Sequence, residues 1–93
     1  MPDADARFPV DRKDSSSIAS VYIVIPAYNE QQIIERVLKE LRTEYSNLVV
    51  VDDGSADDTS AASLRAGAIL LRHVVNRGQG AALQTGMTFA LNR

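Results

Sequence analysis

Three short apolar runs, each followed by a segment of helical character, limit how this chain can fold. Residues 21–25 (VYIVI), 48–51 (LVVV) and 68–71 (AILL) carry no charge and are rich in β-branched side chains. The first run ends at Pro26 and the second at Asp52-Asp53-Gly54-Ser55. Continuous apolar runs bounded by breakers suit strands buried on both faces, as in a parallel sheet. Between the first two runs, Ile33, Ile34, Val37, Leu38 and Leu41 recur at spacings of three and four. Glu35, Arg36, Lys39, Glu40 and Arg42 fill the opposite face. That period predicts an amphipathic helix, with Asn29 as its N-cap and Glu30 near its positive end. A second helix is expected from Asp57 or Asp58 through Arg65, stopped by Gly67. A turn at 76–80 then leads into a third helix from Ala81 to Leu91, with Leu83, Met87, Phe89 and Ala90 as its partial apolar period. The order β-α-β-α-β-α predicts an α/β fold with right-handed crossovers: a three-layer α/β/α arrangement on a parallel sheet.

With 93 residues there is room for one small domain, and a domain of this size has a thin stability margin. Residues 1–20 read differently from the rest. Asp3, Asp5, Asp11 and Asp14 mix with Arg7, Arg12 and Lys13 ahead of Ser15-Ser16-Ser17. So little apolar surface cannot offset the entropy of ordering, so a disordered N-terminal tail is expected there. The folded part is expected at 21–93. The net charge of −2 and an aromatic content of 5% provide neither the basic stripe nor the stacking platform of a nucleic-acid binder. No cysteine is present, which excludes disulfides, thiolate metal sites and Cys nucleophiles and suits the cytoplasm. The N-terminus lacks the apolar core of a signal peptide, and no apolar run is long enough to span a bilayer.

Ligands of open parallel sheets bind beyond the carboxyl ends of the strands. Residues 26–30, 52–57 and 73–80 all fall there and are expected to meet in space. Side chains alternate along a strand, so Asp52 and Asp53 are expected to point apart: one into a cleft, the other bonded to a nearby backbone or helix. On spacing alone the pair reads equally as ligand acceptor and as turn with capping carboxylates. Tyr28 offers a face for stacking on a nucleobase, or for packing under its loop. Glu30 suits a ligand hydroxyl or the helix N-terminus. Gly78 and Gly80 precede a helix, as in phosphate cradles. The dinucleotide fingerprint nevertheless fails, because Leu83 stands where G-x-G-x-x-G requires Gly. No phosphate loop of the form G-x-x-x-x-G-K-[ST] occurs. Arg77 suits a phosphate, a base or solvent. His73, the single histidine, has no Ser-Asp partner at recognisable spacing and no second His for zinc, and a structural or solvent-facing role is expected.

Taken in order, Val24-Ile25-Pro26-Ala27-Tyr28-Asn29-Glu30, then Val49-Val50-Val51-Asp52-Asp53-Gly54-Ser55 with Asp58-Thr59, then Asn76-Arg77-Gly78-Gln79-Gly80-Ala81-Ala82-Leu83-Gln84-Thr85-Gly86, resemble family 2 glycosyltransferases of the GT-A fold. The branch they most resemble includes dolichol-phosphate mannose synthases and polyprenyl-phosphate glycosyltransferases. The resemblance covers residues 21–93 and implies the Rossmann-like first half of a GT-A domain. It implies that Pro26, Tyr28, Glu30, Asp53, Gly78 and Gly80 bind the nucleotide, with Tyr28 beside the base and Asp53 bonding it; Asp52 and Asn29 are supporting. It further implies a nucleoside diphosphate sugar as donor, a membrane lipid such as a polyprenyl phosphate as acceptor, and Mg or Mn as cofactor. The Asp-x-Asp metal motif and the catalytic base of such a domain are expected after the third helix. The sequence ends at Leu91-Asn92-Arg93, so no metal ligand or catalytic residue is assigned, and a truncated, catalytically silent portion is expected. The implied location is the cytoplasm, at the inner face of the membrane in a longer form. The alternatives are a non-catalytic α/β nucleotide-binding module, or a self-associating module that pairs through an exposed sheet edge, with itself or with a C-terminal half.

Overall fold

A computed structural model describes residues 21–93; the expected N-terminal tail lies outside the described residues. Three strands and three helices alternate: β1 (Tyr22–Ala27), α1 (Ile34–Leu41), β2 (Asn47–Asp52), α2 (Thr59–Arg65), β3 (Ile69–Arg72) and α3 (Gln79–Leu91). The strands form one parallel sheet in the order β1-β2-β3. The α/β reading therefore holds.

The pleat of β2 organises the layers. Leu48 and Val50 point to one face, where Ile34 and Leu38 of α1 and Ala62 and Ala66 around α2 cover them. Val49 and Val51 point to the other face, against Ala82 and Phe89 of α3. All four β2 side chains are buried. A central strand sandwiched between helical layers must be apolar on both faces, and this is why its sequence runs without alternation. α1 and α2 share one side because successive right-handed crossovers in the same direction return to it. Among the described residues, β1 and β3 each keep one unpaired edge.

β1 does not end at Pro26 as expected. It continues to Ala27, with Pro26 opposite Val51. Asp53 N–H donates to Ala27 C=O at 2.8 Å. In a parallel strand the polar groups of alternate residues turn to alternate sides, so the nitrogen of Pro26, which has no hydrogen, faces the open edge. An edge tolerates that loss.

The N-cap assigned to Asn29 is also corrected. α1 begins at Ile34 without any side-chain cap. The preceding turn is held instead by the Glu30 carbonyl, which accepts from the N–H groups of Ile33 and Ile34. Asn29 adopts φ 54°, a left-handed conformation that Asn tolerates better than most residues. α2 stops before Gly67 as read, with Gly67 at φ +85°. α3 starts at Gln79, two residues earlier than the reading.

The packing face of α3 departs most from expectation. Leu83 and Met87 are 38% and 56% exposed, while Ala82 and Gly86 are buried. Size explains the reversal. A Cβ added to Gly86 would lie 2.2 Å from Val24 Cγ1 and 3.1 Å from Val51 Cγ2, so at this turn the helix sits too close to the sheet for a large side chain, and only farther along does Phe89 pack against it. Gly86→Ala is expected to destabilise the fold, because overpacking of about 1–3 kcal/mol exceeds the gain of about 1 kcal/mol in helix propensity. Urea denaturation checks this. Adding Val24→Ala should recover part of the loss, and an unchanged midpoint in the single variant would contradict the close approach.

Candidate functional site: a cleft at the strand ends

The three strands finish level: Ala27 pairs with Asp52, and Asp52 with Arg72. The loops that follow therefore emerge side by side. They enclose a cleft of about 350 Å³ lined by Pro26, Ala27, Tyr28, Glu30, Asp53, Asn76, Gly78, Gln79 and Ala82. Of the residues named from the sequence, Pro26, Tyr28, Glu30, Asp53 and Gly78 line it together. Gly80, Asp52 and Asn29 do not. Gly80 lies in the first turn of α3, where an added Cβ would meet open space.

Alternation along β2 separates the two aspartates. Asp52 continues the Leu48 and Val50 face and is fully buried toward α2. Its Oδ1 accepts from Ser55 N–H at 2.9 Å. Its Oδ2 accepts from the Ser60 hydroxyl and from Arg72 Nη1, the latter at 2.8 Å. The same guanidinium donates through Nη2 to the Ser55 carbonyl at 2.9 Å. Asp52 thus ties the loop after β2 to α2 and β3. A buried carboxylate survives only when it is paired and bonded in this way.

Asp53 continues the other face, toward α3. Its Oδ1 accepts from Arg77 N–H at 2.8 Å and lies 2.7 Å from His73 Nδ1. Its Oδ2 accepts from Gly78 N–H at 2.8 Å. These donors hold the Asp53 carboxyl below the usual carboxylate range. The Arg77 N–H contributes most, then the His73 ring, while burial opposes them and the Gly78 N–H adds to the lowering. Because a carboxylate only accepts, His73 carries its proton on Nδ1. The other ring nitrogen, Nε2, lies 2.8 Å from Thr85 Oγ1 of α3. His73 is buried rather than turned to solvent, and its two partners, Asp53 and Thr85, were not foreseen.

A second set of bonds fixes the first loop. Asn29 N–H donates to Ser55 Oγ at 2.8 Å, and Ala56 N–H donates to Asn29 Oδ1 at 2.9 Å. Glu30 N–H donates to Thr59 Oγ1 at 2.8 Å, and Asp58 N–H to Gln31 Oε1 at 2.8 Å. Gln31 N–H and Thr59 N–H both donate to Asp57, at 3.3 and 3.0 Å. The Asp57 carboxyl is held below its ordinary value, chiefly by the Thr59 hydroxyl. Tyr28 and Glu30 therefore project from a loop stitched to its neighbour, and the Tyr28 side is left 47% exposed at the cleft. The third loop touches the second directly: a Cβ at Gly54, φ +77°, would come within 2.6 Å of Asn76 N. Sequence reasoning passed over Ser55, Thr59 and Thr85 in these networks. Small hydroxyl residues one or two positions after an acidic turn were the available signal for the first two.

The sequence model of Glycosyl transferase family 2 matches residues 22–93. The chain belongs to that family. This family 2 chain is 50% identical over 72 residues to an uncharacterized protein of Methanocaldococcus jannaschii, covering 76% of this chain and 30% of that one. It is 37% identical over 86 residues to an undecaprenyl-phosphate 4-deoxy-4-formamido-L-arabinose transferase of Proteus mirabilis, covering 78% and 26%. Among solved structures it resembles a mannosyltransferase from Pyrobaculum calidifontis in complex with GDP-Man and Mn2+. There the TM-score is 0.69 and the identity 28%, over 75% of this chain and 24% of that one. The fold is thus that of GT-A glycosyltransferases, and the chain spans about a quarter to a third of the length of these proteins.

The divalent ion implied by the family finds no complete site among the described residues. No three His, Cys, Asp or Glu side chains come together there, and protein donors already engage both Asp52 and Asp53.

The lowered Asp53 carboxyl makes stability depend on acid. A group with a depressed folded value contributes stability above its unfolded value, about 3.9, and loses it as pH falls through the folded value. The urea midpoint is therefore expected to drop below about pH 4. Asp53→Asn should lower the midpoint at pH 7, since an amide cannot accept from all three donors, and should flatten the acid limb. An acid limb as steep as the parent's would contradict the assignment.

Proposed function

We propose that residues 21–93 form the nucleotide-binding portion of an inverting glycosyltransferase. In a longer chain it would transfer a sugar from a nucleoside diphosphate donor to an acceptor such as a polyprenyl phosphate. The observation that carries this reading is the convergence of Pro26, Tyr28, Glu30, Asp53 and Gly78, from three separate segments, on one cleft. In this reading the base stacks on the exposed Tyr28 ring and donates an N–H to Asp53. Oδ1 is filled by two donors and Oδ2 by one, which leaves an acceptor position on Oδ2. The diphosphate lies toward the start of α3, where unpaired N–H groups and the helix dipole favour negative charge. The name of the Proteus mirabilis relative supports a polyprenyl phosphate acceptor, and with it a place at the inner face of a membrane. Among the described residues, no helix is long and apolar enough to cross one.

Calorimetric titration of UDP and GDP, with and without Mn2+, tests the reading. One of the two should bind, and Tyr28→Ala should weaken it by about 1–3 kcal/mol, the worth of stacking one base on an aromatic ring. Tyr28 is exposed, so the substitution leaves the core intact. Absence of binding at millimolar nucleotide, or a preference for ATP or NAD, would overturn the proposal. The same chain is expected to show no metal-dependent sugar transfer, because the described residues assemble neither a metal cluster nor a carboxylate left unengaged beside the cleft as a base for an acceptor, Glu30 being assigned to the nucleotide. Turnover in a radiolabelled-sugar assay would refute this.

A further inference from the structure

We propose that His73 is a positioning residue for the nucleotide cleft: its Nδ1–H sets the orientation in which Asp53 meets the base. The proposal rests on the nucleotide reading above. His73 follows β3 directly and is itself buried. It does not line the cleft, whereas Asp53 does. The ring therefore acts from behind the carboxylate and never touches the ligand.

Three observations define what it does there. First, Oδ1 of Asp53 takes both the imidazole Nδ1 and the Arg77 N–H, so its two acceptor positions are used. The position left for a ligand is on Oδ2. Secondly, the ring is anchored at its far side, with Nε2 on Thr85 Oγ1, so β3, β2 and α3 together determine the carboxylate plane. Thirdly, the other two donors to Asp53 are backbone groups of the 76–78 segment, which itself borders the cleft. Among the described residues, His73 is the one side chain that bonds Asp53, and it does so from outside the cleft walls. Without it, the carboxylate is free to turn Oδ1 toward the ligand, and the base meets an acceptor that it must first order.

Two substitutions separate the ring's bonds. Asn places its side-chain nitrogen where Nδ1 sits, so His73→Asn keeps the bond to Asp53 and loses Thr85. Gln reaches the place of Nε2, so His73→Gln keeps Thr85 and loses Asp53. Each removes one hydrogen bond and lowers the urea midpoint, His73→Gln the more because it loses the bond to the charged carboxylate; affinities are therefore compared where both variants are fully folded. Nucleotide affinity should divide them. For whichever of UDP or GDP binds the parent chain, the dissociation constant should stay within about threefold in His73→Asn and rise about tenfold in His73→Gln, the loss expected for a hydrogen bond to a charged group. In the ligand-free chain at pH 7.5, long-range 1H–15N spectra should show the proton on Nδ1. If His73→Gln binds as tightly as His73→Asn, or the proton resides on Nε2 alone, His73 is a spacer and the proposal fails while the nucleotide reading stands. If the parent chain binds neither nucleotide, both fall together.

Discussion

Everything in this molecule depends on a central strand with no exposed face. Leu48, Val49, Val50 and Val51 of β2 are buried against helices on both sides. Once that strand is sandwiched, its pleat determines which layer each neighbouring group enters. The same alternation continues past the last apolar residue and sends Asp52 to the α2 side and Asp53 to the α3 side. Two adjacent carboxylates therefore occupy different environments without any special turn.

The two environments are chemically distinct. Asp52 has a cation and a hydroxyl on side chains and one backbone N–H from Ser55, and it holds elements together. Asp53 has two backbone donors and an imidazole, and it borders open space. Placing an ionised group at the floor of a cleft is costly in an apolar setting. Supplying three donors from protein groups keeps the carboxylate charged while one acceptor position remains unspent. This family 2 glycosyltransferase chain thus holds a hydrogen-bonded carboxylate at the carboxyl end of a parallel sheet, the end at which open sheets of this architecture bind ligands. The loop that carries Tyr28 and Glu30 is ordered by the same economy: backbone N–H groups that would otherwise lack partners bond Ser55, Asp57 and Thr59.

Particular residues show how far the sequence was legible. The runs at 21–25, 48–51 and 68–71 became strands within one or two residues, because a fully buried strand needs an unbroken apolar segment. Gly67 ended α2 as read, since its left-handed backbone is a local preference. α3 was read by hydrophobicity, which placed Phe89 on the sheet side correctly but not Leu83 and Met87: Ala82 and Gly86 pack there because the helix approaches closely, and close approach is a property of the sheet beneath. Asn29 was read as a cap and is instead a left-handed loop residue whose side chain serves the neighbouring loop. In the cleft, Pro26, Tyr28, Glu30, Asp53 and Gly78 were all named in advance from their motifs, while Asn76, Gln79 and Ala82 were not.

The sequence by itself determined the type and order of the elements, the parallel sheet and the opposite facing of Asp52 and Asp53. Each of these follows from periodicity within a few residues, which the backbone imposes locally. Only the tertiary structure decided that His73 and Thr85 stand behind Asp53, that Ser55 and Thr59 brace the loop of Tyr28, and that small residues form the inner face of α3. The hydrogen bonds among those contacts join residues 12 to 29 positions apart, and the approach of Gly86 to Val51 and Val24 joins residues still more distant in the chain; all depend on strand register and helix height, which no local pattern encodes.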